Sequence, residues 1–170
     1  MATSTPTLSC GDDRDQRFQE KKCEDIRRFV GVLTHSAHGY CGGASPLASE
    51  TRSYDLRSDG YLANLVVRKL ANGRPDFIQI VSKSDGKDYP QYQSGPLAEF
   101  QVNSTQTPYT YSETIIDDSS VSIVAKFGGR VINKGVRSIS ADGKTMTIKV
   151  VQIGPNSQET PITLVFKRVS

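Results

Sequence analysis

The sequence is poor in the residue types that mark several protein classes. Its 170 residues include only two His, two Met and three Cys, and Trp is absent. Its apolar stretches are only a few residues long, as at Leu65-Val66-Val67, whereas a membrane-spanning helix needs about 20 apolar residues, so none is expected. The first residues, MATSTPTLSCGDDRDQ, contain neither a basic start nor an apolar stretch, so no secretory signal is expected and the predicted location is cytoplasmic.

The few cysteines and histidines do not form a recognisable metal or disulfide pattern. Cys10, Cys23 and Cys41 are odd in number and irregularly spaced, which favours free thiols in a reducing compartment, with a Cys23–Cys41 bridge as the alternative. His35 and His38 are three residues apart, so on a strand they point to opposite faces and cannot easily share one ion. Neither a metal nor another cofactor is therefore predicted.

Nucleotide-binding and hydrolase motifs are also missing. Gly42-Gly43 and Gly128-Gly129 stand in turn contexts, and no Gly-x-Ser-x-Gly sequence occurs. The net charge is +3, from 21 basic and 18 acidic residues, and the basic residues are scattered. The densest group, within 20–28, interleaves acidic with basic side chains, as on a solvated helix face. Neither nucleic acid nor a membrane is expected as a partner.

One segment near the N-terminus has helical periodicity. Residues 1–11 are rich in Thr, Ser and Pro and are predicted to be a flexible leader to a single domain over 12–170. After Asp12, positions such as Phe18, Ile26 and Leu33 belong to a series spaced three or four residues apart, which predicts an amphipathic helix over 12–28. Its apolar stripe is expected to cover one end of the domain as a lid.

The rest of the chain consists of short β-like segments separated by turn residues, among them Asp59-Gly60 and Asn72-Gly73, which suit tight hairpins. Nothing between the segments is long enough for a crossover helix, so the sheet should be antiparallel and meandering. Sheets of eight or more strands usually close, because closure removes exposed edges. We predict an all-β, antiparallel up-and-down barrel of about eight to ten strands. The predicted strands cover 29–37, 48–57, 61–70, 77–84, 99–104, 109–116, 121–127, 130–140, 144–153 and 160–169, with a loop over 85–96.

Several hairpin sequences resemble those of a known group. They are ETRSYDLRSDG at 50–60, SKSDGKDYP at 82–90 and KFGGRVINKGVRSISADGKTMTIKV at 126–150. Over roughly 48–169 the chain resembles small bacterial lipocalin-like, calycin-type β-barrel proteins, in which such hairpins recur in this order. The overall plan is also similar to that of small lipocalin-like cyclases of natural-product biosynthesis, which catalyse cycloadditions inside the barrel. The resemblance implies the barrel fold, and no catalytic residue is carried over from it.

Strand alternation indicates which side chains could face the barrel interior. Along 109–116, Tyr109, Tyr111, Glu113 and Ile115 share one face, which is aromatic with a single carboxylate. An interior that is mostly apolar with a few polar anchors is typical of a ligand pocket. Similar mixed faces are formed by Tyr61, Ala63, Leu65 and Val67; by Phe77, Gln79 and Val81; and by Val121, Ile123, Ala125 and Phe127.

Glu113, Tyr111 and Tyr109 are the candidate catalytic residues. Burial would raise the pKa of Glu113 and make it a hydrogen-bond donor or a general base; the alternative is an outward Glu paired with a Lys or Arg. The two tyrosines could donate hydrogen bonds to a ligand carbonyl or serve as packing residues. The candidate ligand-binding residues are Tyr61, Leu65, Phe77, Gln79, Ile123 and His35. Gln79 could instead face solvent, and His35 is expected as a lone imidazole near the barrel mouth.

These features lead to three functional hypotheses. The first is a cofactor-free cyclase or isomerase that folds a hydrophobic substrate in the cavity and polarises a carbonyl. The second is a non-catalytic carrier or sensor of a hydrophobic small molecule. The third is a structural or interaction barrel whose interior is filled by side chains. The first is preferred, and a monomer or a homodimer is the expected assembly.

Overall fold

The computed structural model describes residues 31–33, 47–94 and 107–168, which form ten β-strands and no helix. The predicted leader and helix over 1–28, the predicted strand at 99–104 and His35 lie outside the described residues. The strands are β1 (Gly31–Leu33), β2 (Leu47–Leu56), β3 (Leu62–Leu70), β4 (Pro75–Ser82), β5 (Tyr89–Gln93), β6 (Tyr109–Asp117), β7 (Ser120–Phe127), β8 (Arg130–Ile139), β9 (Thr145–Ile153) and β10 (Glu159–Arg168).

The strands form one antiparallel sheet with up-and-down topology. Strands β2 to β10 are neighbours in chain order, and β1 pairs with the outer edge of β10. The short β1 also lies close to β2, so the sheet curls until its two ends approach each other. The antiparallel, up-and-down part of the prediction is therefore confirmed in the form of a curled sheet.

One strand was expected to be a loop. Residues 89–93 form β5, although Gly86 and Pro90 predicted a loop over 85–96. Strand β5 pairs with β4 at three positions and with β6 only at Tyr89 and Pro90. Because these ladders are so short, the strand tolerates a proline that would interrupt a long central strand.

The hairpin turns form where the sequence predicted them. In the turn between β3 and β4, Gly73 has a φ of 81°, a conformation that glycine adopts without steric cost. The side-chain oxygen of Asn72 accepts a hydrogen bond of 3.0 Å from the backbone N–H of Arg74. The backbone N–H of Leu70 donates to the carbonyl of Arg74 at 2.9 Å and closes the hairpin. Local residues therefore fix this turn.

The core lies on the concave, inner face of the sheet, where side chains alternate with those of the outer face. The inward orientation predicted for Leu65 and Phe77 is wrong, because they are 43% and 47% exposed, and Gln79 is exposed beside them. Both faces of β3 and β4 are apolar, so alternation alone does not distinguish inside from outside. The buried apolar residues are Tyr54, Leu62, Val66, Ile78, Ile80, Tyr111, Val121, Ile123, Met146, Ile148, Ile162, Leu164 and Phe166.

Candidate functional site

The buried carboxylate of Glu113 is held by three other side chains. Glu113 lies on the inner face of β6 and is 2% exposed. The Tyr111 hydroxyl donates a hydrogen bond of 2.5 Å to Oε1, and the Ser84 hydroxyl donates one of 3.2 Å to Oε2. From β8, Arg137 places Nη2 3.0 Å from Oε2 and Nη1 2.9 Å from Oε1. We call these four residues the Glu113 cluster.

Burial and ion pairing determine the protonation states in this cluster. Burial raises the pKa of the Tyr111 hydroxyl well above its usual value, and the adjacent Glu113 carboxylate adds to the shift. Burial opposes the charge of Arg137, but the carboxylate outweighs it and raises the pKa of the guanidinium. Tyr111 is therefore a neutral donor and Arg137 a cation. Because both oxygens of Glu113 already accept hydrogen bonds, the arrangement favours a positioning role for Glu113 over that of a general base.

A second buried carboxylate lies on the inner face of β2. Glu50 is 0% exposed and accepts hydrogen bonds from Nε of Arg52 at 2.6 Å and from Nε of Arg68 at 2.8 Å. The Nη1 atom of Arg68 is also 3.6 Å from Oδ2 of Asp76 on β4. Burial opposes the charge of Glu50, but the two guanidinium groups prevail and lower its pKa. We call these four residues the Glu50 cluster.

Tyr54 contacts the arginines of both clusters. It shares the inner face of β2 with Glu50 and Arg52, and its oxygen helps to raise the pKa of the Arg52 and Arg137 guanidinium groups, although burial opposes both charges. The guanidinium carbon of Arg137 is 4.8 Å from the Tyr54 ring centroid. Directly opposite Tyr54 on β3 is Asn64, and the two residues are 2% and 4% exposed. In the part of the chain that the structure describes, the Tyr54 hydroxyl and Oδ1 of Asn64 have no aligned hydrogen-bond partner.

The interior offers more hydrogen-bond donors than its two carboxylates use. A guanidinium group carries five N–H donors. Arg52 donates to Glu50 through Nε, and its guanidinium carbon lies 5.4 Å from the ring centroid of Phe166 on β10. The Nη1 atom of Arg137 contacts Glu113 without an aligned hydrogen bond. These N–H groups and the Tyr54 hydroxyl could donate to an acceptor group of a ligand.

The structure brings three of the predicted site residues together on the inner face. Glu113, Tyr111 and Ile123 are all buried, and Ile123 is directly opposite Glu113 in the ladder between β6 and β7. Tyr109 is half-buried and packs against Phe127, with ring centroids 4.9 Å apart. The shared face predicted for this part of β6 is therefore present, with Tyr109 at its margin.

The other predicted residues lie apart from both clusters. Leu65, Phe77 and Gln79 are on the outer face. Tyr61 precedes β3 and stacks edge-on against Tyr89, with ring centroids 5.9 Å apart, while the Lys83 ammonium is 4.6 Å from the Tyr61 ring centroid. The prediction for His35 lies outside the described ranges, so the structure does not locate it relative to the site.

Sequence reasoning missed most of the charged residues of the interior. Glu50, Arg52 and Tyr54 alternate along β2, and residues two apart on a strand share a face. This spacing indicates an ion pair, but an exposed strand face carries the same pattern, so it does not predict burial. Arg137 stands in a predicted strand with no neighbouring residue that indicates Glu113 as its partner.

The described part of the chain contains no metal-binding cluster in addition to the two carboxylate clusters. Within residues 31–33, 47–94 and 107–168, no group of three or more His, Cys, Asp or Glu side chains is placed to hold a metal ion. The same residues contain no helix with the length and apolar character needed to cross a membrane. Comparison with protein-family models and with curated protein sequences finds no match for the chain. Function must therefore be inferred from the two clusters and the residues between them.

Proposed function

We propose that the protein binds a small molecule inside the curled sheet, beside Tyr54, Asn64 and Arg52. The observation that carries the proposal is the pair of buried polar groups on Tyr54 and Asn64 that have no aligned partner among the described residues. An unsatisfied buried polar group costs about 1–3 kcal/mol, and native proteins keep few of them. A ligand with one acceptor and one donor would satisfy both groups.

This proposal requires the curl to enclose an interior. We propose that the sheet closes as a barrel through side-chain packing at the seam between β2 and β10. Two contacts support closure: the Arg52 guanidinium lies over the Phe166 ring, and β1 lies beside both strands. The apolar walls of such a barrel would be formed by buried residues including Val66, Ile78, Met146, Ile148 and Phe166.

The donors at the site indicate the kind of ligand. Arg52 and Arg137 keep N–H groups that the carboxylates do not take up, and Tyr54 adds an O–H group. A carbonyl or carboxylate oxygen would accept hydrogen bonds from these groups. The rest of the ligand would be apolar, because the surrounding inner face is apolar. A carrier or sensor of such a molecule needs no further chemistry.

A cofactor-free cyclisation or isomerisation is the second candidate function, and the same donors favour it. Arg137 and Tyr54 aimed at one carbonyl oxygen would polarise that carbonyl, while the walls hold a flexible substrate in a reactive conformation. In this scheme Arg137 and Tyr54 contact the substrate, and Glu113 and Tyr111 hold Arg137 in place. A co-purified molecule recovered unchanged after incubation would favour the carrier, and its conversion to an isomer would favour the enzyme.

A fluorescent fatty acid tests binding and its location together. cis-Parinaric acid has a carboxylate on an apolar chain, and its fluorescence rises in apolar surroundings. We expect saturable one-to-one binding by the wild type and about tenfold weaker binding by Tyr54→Phe, because a hydrogen bond contributing about 1.4 kcal/mol is lost. The matched control is Tyr92→Phe, the same change at an outer-face tyrosine that is 41% exposed, and it should bind as the wild type does.

Tyr54→Phe also has an expected effect in the absence of ligand. The hydroxyl has no aligned hydrogen bond but lies beside the Arg52 and Arg137 guanidinium groups, so its removal should change the free energy of unfolding in urea by no more than about 1 kcal/mol. A less stable variant that binds the probe as tightly as the wild type would contradict the proposal, because the hydroxyl would then be a structural group.

A further inference from the structure

The inner face of the curled sheet has an apolar side and a mixed side. On β7, β9 and β10 every buried side chain is apolar, among them Ile123, Ile148 and Phe166. Strand β8 contributes one buried side chain, Arg137, which is paired with Glu113. On β2 to β6 the buried inward side chains include both apolar and polar groups, and the polar ones are Glu50, Asn64, Ser82, Gln91 and Glu113. A ligand inside the sheet would therefore meet hydrocarbon on one side and hydrogen-bonding groups on the other.

Three polar residues of the mixed side stand in one row across the strands. Tyr54 on β2 is directly opposite Asn64 on β3. Ile80 on β4 is next in the row, and Gln91 on β5 follows it. Residues opposite each other share a face, and Tyr54, Asn64 and Gln91 are all buried. Neighbouring strands are about 4.8 Å apart, so the row spans about 14 Å. We call Tyr54, Asn64 and Gln91 the polar row.

The polar row offers a hydrogen-bond acceptor as well as donors. Within the described ranges, Oδ1 of Asn64 has no aligned hydrogen-bond partner. A carboxamide oxygen only accepts hydrogen bonds, so a ligand group that satisfies it must carry an O–H or N–H. The carbonyl or carboxylate oxygen that would accept from Tyr54 and the arginines cannot also fill this role. Asn64 therefore requires a second polar group on the ligand.

We infer that the ligand carries a hydroxyl group on its apolar body in addition to its carbonyl or carboxylate, and that Asn64 recognises this hydroxyl. A hydroxyl is favoured over an ammonium group, because Glu50 and Glu113 are already paired with arginines and an unpaired cation is costly to bury. The hydroxylated edge of the ligand would lie along the polar row, and its hydrocarbon face would lie against β7, β9 and β10. The inference rests on the proposed function, because it specifies the ligand of the same site.

Competition between matched fatty acids tests the inference on the full chain. The wild type is loaded with cis-parinaric acid, which is then displaced by stearic acid or by its 2-hydroxy, 10-hydroxy or 12-hydroxy derivative. These competitors share one chain length and one carboxylate and differ only in the hydroxyl. We expect at least one hydroxylated acid to bind about tenfold more tightly than stearic acid, because the buried acceptor gains its hydrogen bond. An interior without a matching acceptor gives the opposite order, because burying an unpaired hydroxyl weakens binding.

Asn64→Leu identifies the residue that recognises the hydroxyl. This variant keeps a side chain of similar size but has no hydrogen-bonding group, so it should lose the preference for the hydroxylated acid and bind stearic acid at least as tightly as the wild type does. The matched control is Gln79→Leu, which also replaces a carboxamide by leucine but on the outer face of β4, and it should keep the wild-type preference. Circular dichroism checks that both variants fold, and the comparison of acids on the wild type needs no variant.

Failure of this inference is distinguishable from failure of the proposed function. If the wild type binds cis-parinaric acid but binds stearic acid at least as tightly as every hydroxylated acid, the inference is wrong and the binding site stands. A preference that persists in Asn64→Leu would overturn the role of Asn64. If cis-parinaric acid does not bind at all, the proposed function fails and the inference fails with it.

Discussion

Glu113 and Arg137 form a buried ion pair whose contribution to stability depends on the presence of both partners. Taking charges out of water costs several kcal/mol per ion, and their mutual attraction offsets that cost only when the geometry is good. Here the hydrogen bonds from Tyr111 and Ser84 occupy the remaining sites on the carboxylate. The pair is therefore more sensitive to the loss of one member than to the loss of both.

Arg137→Met should lower the free energy of unfolding by about 3–5 kcal/mol, because it leaves the Glu113 carboxylate buried without its cation. Urea unfolding followed by circular dichroism measures the loss. Adding Glu113→Leu to this variant should recover part of it. The control is Lys134→Met on the same strand. The Nζ atom of Lys134 is 3.0 Å from Oε1 of Glu159, but the two side chains are 53% and 55% exposed. Such exposed ion pairs contribute at most about 1 kcal/mol to stability. Equal losses in the two single variants would contradict the prediction.

Glu50 should make the free energy of unfolding depend on pH in the acidic range. Burial by itself would raise the pKa of Glu50, but the Arg52 and Arg68 guanidinium groups lower it by more. The folded-state pKa of Glu50 therefore lies below the ordinary value of 4.5. Between these two values the unfolded chain binds a proton that the folded chain does not, so the stabilisation from Glu50 is present above pH 4.5 and is lost as the pH falls through the folded-state value. Three exposed carboxylates whose pKa is lowered by local hydrogen bonds contribute in the same direction. They are Asp85, Asp117 and Asp142.

Urea unfolding between about pH 7 and pH 3 checks this dependence. The free energy of unfolding of the wild type should fall on acidification, and Glu50→Gln should be less stable at neutral pH but show a shallower fall. Glu159→Gln, at an exposed position, should follow the wild-type slope. Parallel slopes for the wild type and Glu50→Gln would show that the Glu50 carboxylate does not carry the dependence.

At the scale of the strand, Gly135 lets β8 pass close to β9. A Cβ atom at this position would lie 2.0 Å from the carbonyl oxygen of Lys149, so Gly135→Ala must displace the backbone of a paired strand. We expect this variant to lose about 1–3 kcal/mol of unfolding free energy, as overpacked cores do. Gly154→Ala is the control, because its nearest contact would be the carbonyl oxygen of Gln158 at 3.6 Å. Matching urea midpoints for the two variants would contradict the importance of the close approach.

The elements that the sequence predicted best are those fixed by local residues. The Asn72-Gly73 turn is an example, because the glycine φ and the asparagine side chain act within four residues. Strand β5 was missed, since its pairing depends on β4 and β6 rather than on its own Pro-containing sequence. The orientation of β3 was also wrong: Val66 and Val67 are equally apolar, and only pairing with β2 and β4 decides which one is buried.

At the scale of the whole molecule, the site joins residues that are far apart in the chain. Alternation predicted that Tyr111 and Glu113 share a face, because that relation is local. The pairing of Glu113 with Arg137 depends on the registers of β6 with β7 and of β7 with β8, and no short-range pattern encodes it. On the half of the sheet from β2 to β5, the inner face combines buried apolar side chains with the charged side chains of Glu50, Arg52 and Arg68.

Amide hydrogen exchange of β2, at the seam with β10, tests whether the whole sheet closes as a barrel. Among the described strands, β2 hydrogen-bonds only with β3, so every second amide of β2 points away from that ladder. If side-chain packing closes the barrel, these amides should exchange with solvent much faster than the amides that donate to β3. In β9, which lies between β8 and β10, both sets should be protected. Hydrogen exchange read by NMR gives the pattern: uniform protection of β2 would mean a continuous hydrogen-bonded seam, and uniformly fast exchange would mean that the interior is open to water.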